Sequence, residues 1–165
     1  RRGARRGATG DLFSGPAPME DPALPPDEEL ALLRRQYETL GFLCDRHPMV
    51  LFAHRLRGRG VTKARDLPAH VGRRVRVAGW LIAGKLVPTK KGEPMEFLTF
   101  EDETALVETT FFPAAYRRFC HILDWKLPFL LEGTVEEEFG AHTLTVHRAE
   151  RLPAEGCRTA RPSAT

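Results

Sequence analysis

The sequence predicts a mainly β protein, built as a small closed barrel of five strands with one helix between the third and fourth strands. Strand-like segments recur from residue 73 to residue 152, and residues that favour turns separate them. A single helical segment interrupts this series, so the predicted order is strand, strand, strand, helix, strand, strand. A two-sheet sandwich is the alternative, although such a fold usually has more strands and no helix in its middle.

The first three strands are predicted as a continuous meander in the segments 73–87, 95–100 and 105–112. A turn from Pro88 to Gly92 joins the first two strands, because proline and glycine preset the backbone angles that turns require. In the third segment, Val107, Thr109 and Phe111 occupy every second position. That alternation is typical of a half-buried strand, whose successive side chains point to opposite faces.

The rest of the barrel is predicted as a helix and two strands, in the segments 113–124, 129–136 and 141–152. Pro113 suits the first turn of the helix, and a loop from Glu136 to Gly140 joins the last two strands. Gly79 and Gly84 lie in the long first strand, which must bend to serve both sides of a barrel. This order of strands and helix is that of the OB-fold, a five-stranded Greek-key barrel.

A helical segment is predicted ahead of the barrel. Apolar residues recur at helical spacing from Leu30 to Leu40, and Gly41 is expected to end this helix. A shorter helix is predicted at 50–60, and Leu67 in the following connector is expected to pack on the barrel. We therefore expect four parts: a disordered linker 1–26, a helical connector 27–70, an OB domain 71–152 and a disordered tail 153–165.

The composition excludes several classes of protein. The chain has 165 residues, of which 42% are hydrophobic, enough for one small core. It contains no apolar run long enough to cross a bilayer and no secretory signal, so we expect a soluble, cytoplasmic protein without a membrane partner. The three cysteines are an odd number at scattered positions, which indicates free thiols in a reducing compartment.

The charge distribution indicates a polyanionic partner. The net charge is only +3, but no acidic residue occurs from Leu67 to Gly92, where six arginine and lysine residues lie. Such a basic stripe is the electrostatic footprint of a nucleic acid, and an ordinary solvated surface is the alternative that stays open. The candidate nucleic-acid-binding residues are Arg74, Arg76, Trp80, Lys85, Lys90, Lys91 and Phe100.

In this hypothesis, the cations follow the phosphates of a single strand and flat rings stack on its bases. The two arginines would lie on the outward face of the first strand, and the three lysines at the loop after it. For Trp80 and Phe100, burial in the barrel or under the N-terminal helices is the alternative, because large aromatic side chains mostly lie in cores. The acidic loop at Glu136–Glu138 counts against strong binding, because it repels phosphate.

No constellation of residues predicts catalysis or a cofactor in this chain. The acidic Glu101–Glu103 is interpreted as a solvated turn. Cys44 and His47 have the spacing of metal ligands, but no second pair accompanies them, and a structural zinc site needs four ligands. The sequence has no phosphate-binding glycine loop and no Ser-His-Asp set, so we expect neither an active site nor a bound metal.

Two stretches carry a family resemblance: YETLGFLCDRHPM and VRVAGWLIAGKLVPTKKGEPMEFLTFEDETALVETTFFPAAYRRF. They resemble the OB domain near the C-terminal end of the bacterial DNA polymerase III alpha subunit and its error-prone relatives. The resemblance implies that the chain binds single-stranded DNA during replication. It also implies that the parent is a DNA-directed DNA polymerase, a nucleotidyltransferase whose catalytic carboxylates belong to a palm domain outside this chain.

The resemblance implies a second partner for the linker. In this family, a clamp-binding motif lies just ahead of the OB region, typically Gln, two variable residues, Leu or Met, and then Phe. Asp11, Leu12 and Phe13 match its second half, and Thr9 stands where the Gln would be. A protein-interaction scaffold that contacts the sliding clamp or other replisome subunits is therefore the alternative function.

Overall fold

The five strands close into a barrel in the order β1-β2-β3-β5-β4, as seen in a computed structural model that describes residues 26–125, 127–138 and 140–152. The strands are β1 (Arg74–Pro88), β2 (Pro94–Glu101), β3 (Leu106–Phe111), β4 (Pro128–Glu138) and β5 (Ala141–Arg151). The predicted mainly β OB-fold barrel is thereby confirmed. The predicted tail and the Asp11, Leu12 and Phe13 of the predicted linker lie outside the described residues.

β1 is long enough to belong to both halves of the barrel. It pairs with β4 from Arg74 to Trp80 and with β2 from Trp80 onward, both antiparallel. Gly79 lies just before this change of partner, where an added Cβ would come within 2.9 Å of the Phe100 Cβ. Glycine therefore allows the close approach that bends β1 around the barrel. A parallel pairing of β3 with β5 completes the closure.

The interior of the barrel is one apolar core. The largest side chains of this core have no exposed surface: Phe100, Phe111 and Phe129. The predicted helix between the third and fourth strands is present as α3 (Pro113–Phe119), which contributes Phe119 to this core. A 3₁₀ helix ahead of β1 (Ala64–His70) contributes Leu67, as the sequence predicts.

The segment ahead of the barrel packs on its outer surface. It contains α1 (Pro26–Leu40), a 3₁₀ helix (Pro48–Phe52) and α2 (Ala53–Leu56). Gly41 ends α1 as predicted, with a φ of 77° that favours glycine. A second apolar cluster joins this segment to β1 and β4, and its buried members are Leu43, Met49, Leu51, Phe52, Ala78, Leu130 and Leu152.

Two helices are shorter than the sequence predicts. The one expected at 50–60 is a 3₁₀ helix followed by the single turn of α2, and Gly58, with a φ of 73°, follows its end. The helix expected to reach Asp124 ends at Phe119, because the chain must turn there to bring Leu127 beside β1. Among the described residues, no helix is both long enough and apolar enough to span a bilayer.

Candidate nucleic-acid interface

The outer surface of β1, β2 and β3 carries an exposed aromatic ring. Phe97 in β2 is 44% exposed, and it lies directly opposite Lys85 of β1 and Thr110 of β3. Residues paired in this way point to the same face of a sheet, with Cβ atoms about 5 Å apart. We call this surface the strand 2–3 face, and its members are Lys85, Met95, Phe97, Thr99, Glu108 and Thr110. In OB-folds, the surface of these strands is where oligonucleotides bind.

The hairpin between β1 and β2 forms the basic end of the strand 2–3 face. Its turn is tight, because the Thr89 N–H donates to the Glu93 carbonyl and the Gly92 N–H donates to the Thr89 carbonyl, both at 2.8 Å. Gly92 adopts the φ of 78° that this turn requires. The turn holds Lys90 and Lys91 at the tip of the hairpin, where both side chains are exposed.

The charge of these lysines is not neutralised within the described part of the chain. No ion pair there involves Lys85, Lys90 or Lys91. The nearby Glu93 carboxylate accepts a hydrogen bond from Arg117 at 3.1 Å, which engages it away from the turn. Glu96 has the opposite parity to Phe97 in β2 and therefore points to the other face of the strand. The hairpin thus presents an uncompensated positive surface beside Phe97.

The other end of the strand 2–3 face is acidic. β3 and β5 run parallel with Glu108 opposite Thr143, so the β4–β5 loop lies beside the β2–β3 turn and away from Lys90. The side chains of Glu136–Glu138 are exposed at this end. The acidic loop, for which the sequence predicts repulsion of phosphate, therefore lies at the far end from the lysines.

The prediction that Phe100 stacks on bases is wrong. Its ring has no exposed surface and meets the Phe129 ring edge to face inside the barrel, with centroids 5.9 Å apart. Phe97 and Phe100 lie an odd number of positions apart in one strand, so their side chains point to opposite faces. The exposed ring of β2 is therefore Phe97, which the sequence analysis did not select.

Trp80 points outward from β1 but is used in packing. The edges of Tyr37 and Phe52 approach its ring at centroid distances of 5.8 Å and 6.1 Å. These residues belong to the segment ahead of the barrel and cover Trp80 in the second apolar cluster. Its predicted stacking role is accordingly corrected, and the alternative of burial under the N-terminal helices is the one observed.

A second exposed aromatic side chain, Trp125, was also missed by the sequence analysis. It is 52% exposed in the connection between α3 and β4. Its ring would lie 3.6 Å from a Cβ added to Gly84, so it packs against the β1–β2 hairpin. Gly84 and Lys85 are adjacent in β1 and point to opposite faces, so Trp125 lies on the other side of the hairpin from Phe97.

The predicted basic stripe does not form one surface. Arg76 and Lys85 are nine positions apart in β1, which corresponds to about 30 Å along an extended strand. Arg74 and Arg76 are on the half of β1 that pairs with β4, and both bind the Glu132 carboxylate, at 2.8 Å and 3.2 Å. The arginines and the lysines therefore belong to separate parts of the barrel.

The interpretation of Glu101–Glu103 as a solvated turn is wrong for Asp102, whereas the Glu101 and Glu103 side chains are 41% and 44% exposed. Asp102 is only 4% exposed, and its Oδ2 accepts a hydrogen bond from the Ala64 N–H at 2.8 Å. Glu103 pairs with Lys63, next to the same 3₁₀ helix. This turn therefore fastens the segment ahead of β1 to the barrel.

Asp102 is held ionised by its hydrogen bonds. Its Oδ1 accepts from the Thr104 N–H at 2.6 Å, from the Thr104 hydroxyl at 2.5 Å and from the Ala105 N–H at 3.0 Å. Burial alone would raise the pKa of Asp102, but the hydrogen bonds from Thr104, Ala64 and Ala105 outweigh burial and lower the pKa. All of these donors favour the charged carboxylate.

In the pair with metal-like spacing, Cys44 is a free, exposed cysteine and His47 has a structural role. The His47 Nδ1 accepts a hydrogen bond from the Met49 N–H at 3.2 Å, so this ring caps the 3₁₀ helix that follows. Among the described residues, no three His, Cys, Asp or Glu side chains are grouped so as to hold a metal ion.

The chain is similar to segments of bacterial DNA polymerases. It is 30% identical over 145 residues to the error-prone DNA polymerase of Symbiobacterium thermophilum, covering 86% of this chain and 13% of that protein. It is 32% identical over 121 residues to DNA polymerase III subunit alpha of Bacillus subtilis, covering 73% of this chain and 11% of that protein. The chain thus spans only a small part of the length of these relatives. No family model matches the sequence.

Similar solved structures include two small β domains. One is the SSB domain of a Synechococcus protein, with a TM-score of 0.43, 15% identity, and coverage of 46% of this chain and 91% of that chain. Another is the second OB-fold domain of replication protein A from Methanococcus maripaludis, with a TM-score of 0.42, 11% identity, and coverage of 55% of this chain and 95% of that chain.

The family resemblance predicted from the sequence is confirmed by the relatives. Error-prone DNA polymerases and DNA polymerase III alpha subunits align over 73% to 90% of this chain. The chain therefore belongs to the family of the OB-fold region of bacterial DNA polymerase III alpha subunits and their error-prone relatives.

Proposed function

We propose that the chain is a single-stranded-DNA-binding module of a bacterial DNA polymerase III alpha subunit, which holds template near the polymerase during cytoplasmic DNA replication. The observation that supports this most is the exposed ring of Phe97 between Lys85 and Thr110 on the strand 2–3 face. An aromatic platform beside cations is the arrangement by which OB-folds bind single strands, since bases stack on the ring and phosphates follow the charges.

The strand is expected to occupy the basic end of the face. Lys85, Lys90 and Lys91 attract the phosphates there, and the acidic loop at Glu136–Glu138 repels them from the other end. Stacking on Phe97 does not distinguish one base from another, because every base has a flat face. Binding should therefore be nearly independent of sequence and should weaken steeply as salt rises.

We assign no catalytic residue and no cofactor to this chain. The most buried carboxylate, Asp102, is fully occupied by hydrogen bonds from its own turn and from Ala64. Nucleotidyl transfer is proposed for the parent polymerase, and the isolated chain is expected to bind DNA without extending a primer.

The experiment that tests this function compares Phe97→Ala with Phe42→Ala in binding of a fluorescent oligothymidylate. Both side chains are exposed, but Phe42 lies between α1 and the following 3₁₀ helix and is not a member of the strand 2–3 face. Loss of one base stack costs about 1–3 kcal/mol, so Phe97→Ala should weaken binding by about 5- to 150-fold. Phe42→Ala should leave the affinity unchanged. Equal affinities for wild type and both variants would reject the proposal.

The alternative, a scaffold that contacts the sliding clamp or other replisome subunits, rests on the Asp11-Leu12-Phe13 triplet and the acidic loop. The triplet lies outside the described residues. A Leu-Phe pair can fill an apolar pocket of a partner. In a pull-down with sliding clamp, Leu12→Ala/Phe13→Ala should lose clamp retention if this alternative is right. If the double variant retained the clamp as well as wild type, the triplet would not be the clamp-binding segment.

A further inference from the structure

Four arginines gather on the outer surface of β1, β4 and β5, on the part of the barrel that carries neither Phe97 nor the lysines. We call them the arginine cluster, and its members are Arg59, Arg74, Arg76 and Arg148. Arg76 lies opposite Glu132 of β4, and Glu132 lies opposite Arg148 of β5, so the three side chains form a row across the sheet. The row borders two adjoining cavities of about 470 Å³ and 190 Å³.

Glu132 orients the arginines of this cluster. One of its oxygens pairs with the Arg74 Nε at 2.8 Å and the other with the Arg76 Nε at 3.2 Å. The hydrogen bond from Arg76, with Arg74 and Arg148 nearby, lowers the pKa of Glu132, so the carboxylate stays ionised. Because both contacts use Nε, the terminal nitrogens of Arg74 remain available to another anion. Arg76 is fixed further by donating from Nη1 to the Arg59 carbonyl at 3.2 Å.

The cluster keeps an excess of positive charge. Arg59 pairs with Glu150 at 3.3 Å, so four arginines share two carboxylates and leave a net charge of +2. Arg148 has no ion pair within the described part of the chain. An arginine fork matches the oxygens of a phosphate group in both geometry and charge. The chemistry of this cleft therefore suits phosphate.

The lining also indicates what kind of phosphate ligand fits. Among the described residues, no phenylalanine, tyrosine or tryptophan lines either cavity, so the cleft lacks the large aromatic rings on which the bases of a single strand usually stack. Duplex DNA keeps its bases stacked inside and presents its phosphates outward, and contacts to those phosphates position a protein without reading sequence. Aromatic platforms belong to single-strand sites, and bare cationic clefts suit an intact duplex.

We propose that the arginine cluster binds the phosphate backbone of duplex DNA. This inference rests on the proposed function only in taking DNA as the polyanion. The cluster lies where β1 pairs with β4, whereas Lys85 lies where β1 pairs with β2, so the protein can contact a duplex and a single strand at the same time on separate faces. Its preferred ligand is then DNA in which a duplex continues into a single strand.

The test measures binding of the full chain to a short blunt-ended duplex and, separately, to an oligothymidylate. Arg74→Gln/Arg148→Gln should lower duplex affinity by about tenfold or more at low salt, since two phosphate contacts are lost. A control with the same loss of charge, Arg35→Gln/Arg57→Gln, changes exposed residues outside the cluster and should keep duplex affinity. Both arginines of the test variant are exposed, and thermal unfolding checks that the variants stay folded.

Three outcomes would overturn the proposal. The first is that Arg74→Gln/Arg148→Gln binds the duplex as tightly as wild type. The second is that the control variant Arg35→Gln/Arg57→Gln loses as much duplex affinity as the cluster variant. The third is displacement of the duplex by equimolar inorganic pyrophosphate, which would show that the cleft takes a small phosphate ligand. The Phe97→Ala variant separates this proposal from the proposed function, because it should lose oligothymidylate binding and keep duplex binding.

Discussion

Replacing Lys90 and Lys91 with glutamate should weaken binding of a single-stranded oligonucleotide by about 100-fold at low salt. Both lysines lie at the tip of the β1–β2 hairpin without an ion pair in the described part of the chain. The double change removes two phosphate contacts and adds two negative charges beside Phe97. In titrations at several salt concentrations, the slope of log affinity against log salt should be smaller in magnitude for the variant than for wild type, by about 1.4.

A matched reversal, Arg35→Glu/Arg57→Glu, controls for the change in net charge. These arginines are exposed in the segment ahead of the barrel, and both variants change the net charge by the same amount. If the control lost as much affinity as the lysine variant, binding would depend on net charge alone. The position of the lysines on the strand 2–3 face would then make no difference to binding.

Replacing Asp102 with alanine should lower the free energy of unfolding by about 3–4 kcal/mol, because several buried donors lose their acceptor. The donors are the N–H groups of Ala64, Thr104 and Ala105 and the hydroxyl of Thr104. Asp102→Asn keeps one carbonyl oxygen as an acceptor and should lower the free energy of unfolding by about half as much. Denaturant unfolding measures both changes.

The contribution of Asp102 should also depend on pH in one direction. Because the folded pKa lies below the unfolded value, the stabilisation is fully present above the unfolded pKa and is lost as pH falls through the folded pKa. The free energy of unfolding of wild type should therefore approach that of Asp102→Asn below about pH 4. A constant gap between the two proteins from neutral to acid pH would contradict this.

Asp124→Ala is the control for the Asp102 variants. Asp124 is an exposed carboxylate, 3.9 Å from Arg151 on the surface, and exposed pairs of this kind contribute about 0–1 kcal/mol. Its replacement should leave the free energy of unfolding nearly unchanged. A loss as large as that of Asp102→Ala would mean that burial and the hydrogen bonds from Ala64 and Thr104 do not explain the effect.

The order and type of the barrel elements follow from local patterns. Alternation in β3, the turn from Pro88 to Gly92 and the proline at the start of α3 act within a few residues, so the sequence alone predicts them. Leu67, predicted from its place in the connector to pack on the barrel, lies in the core as well. The helix ends were less predictable, because they depend on where the next strand must begin.

The aromatic residue of the candidate site was predictable in principle. Thr99 is polar and has the same parity as Phe97, so the two share a face, and Leu98 shares the other face with Phe100. The polar Thr99 identifies the outward face, and Phe97 lies on it. The error was to select Phe100, which shares the inward face with Leu98.

Other features depend on contacts that no local pattern contains. Asp102 is buried because the Ala64 N–H, far away in sequence, binds its carboxylate. Arg74 and Arg76 bind Glu132 from another strand. Trp80 is covered because Tyr37 packs over it from α1. In each case, the tertiary fold decides between two roles that the residue type allows.

The most direct test of the account is to find where a bound single strand touches the protein. An oligonucleotide that carries bromodeoxyuridine in place of thymidine is bound to the full chain and irradiated, and mass spectrometry then identifies the crosslinked residue. We predict the main crosslink at Phe97, whose exposed ring lies beside Lys85 on the strand 2–3 face. Crosslinks confined to Trp125 or to the segment ahead of β1, with none at Phe97, would contradict it.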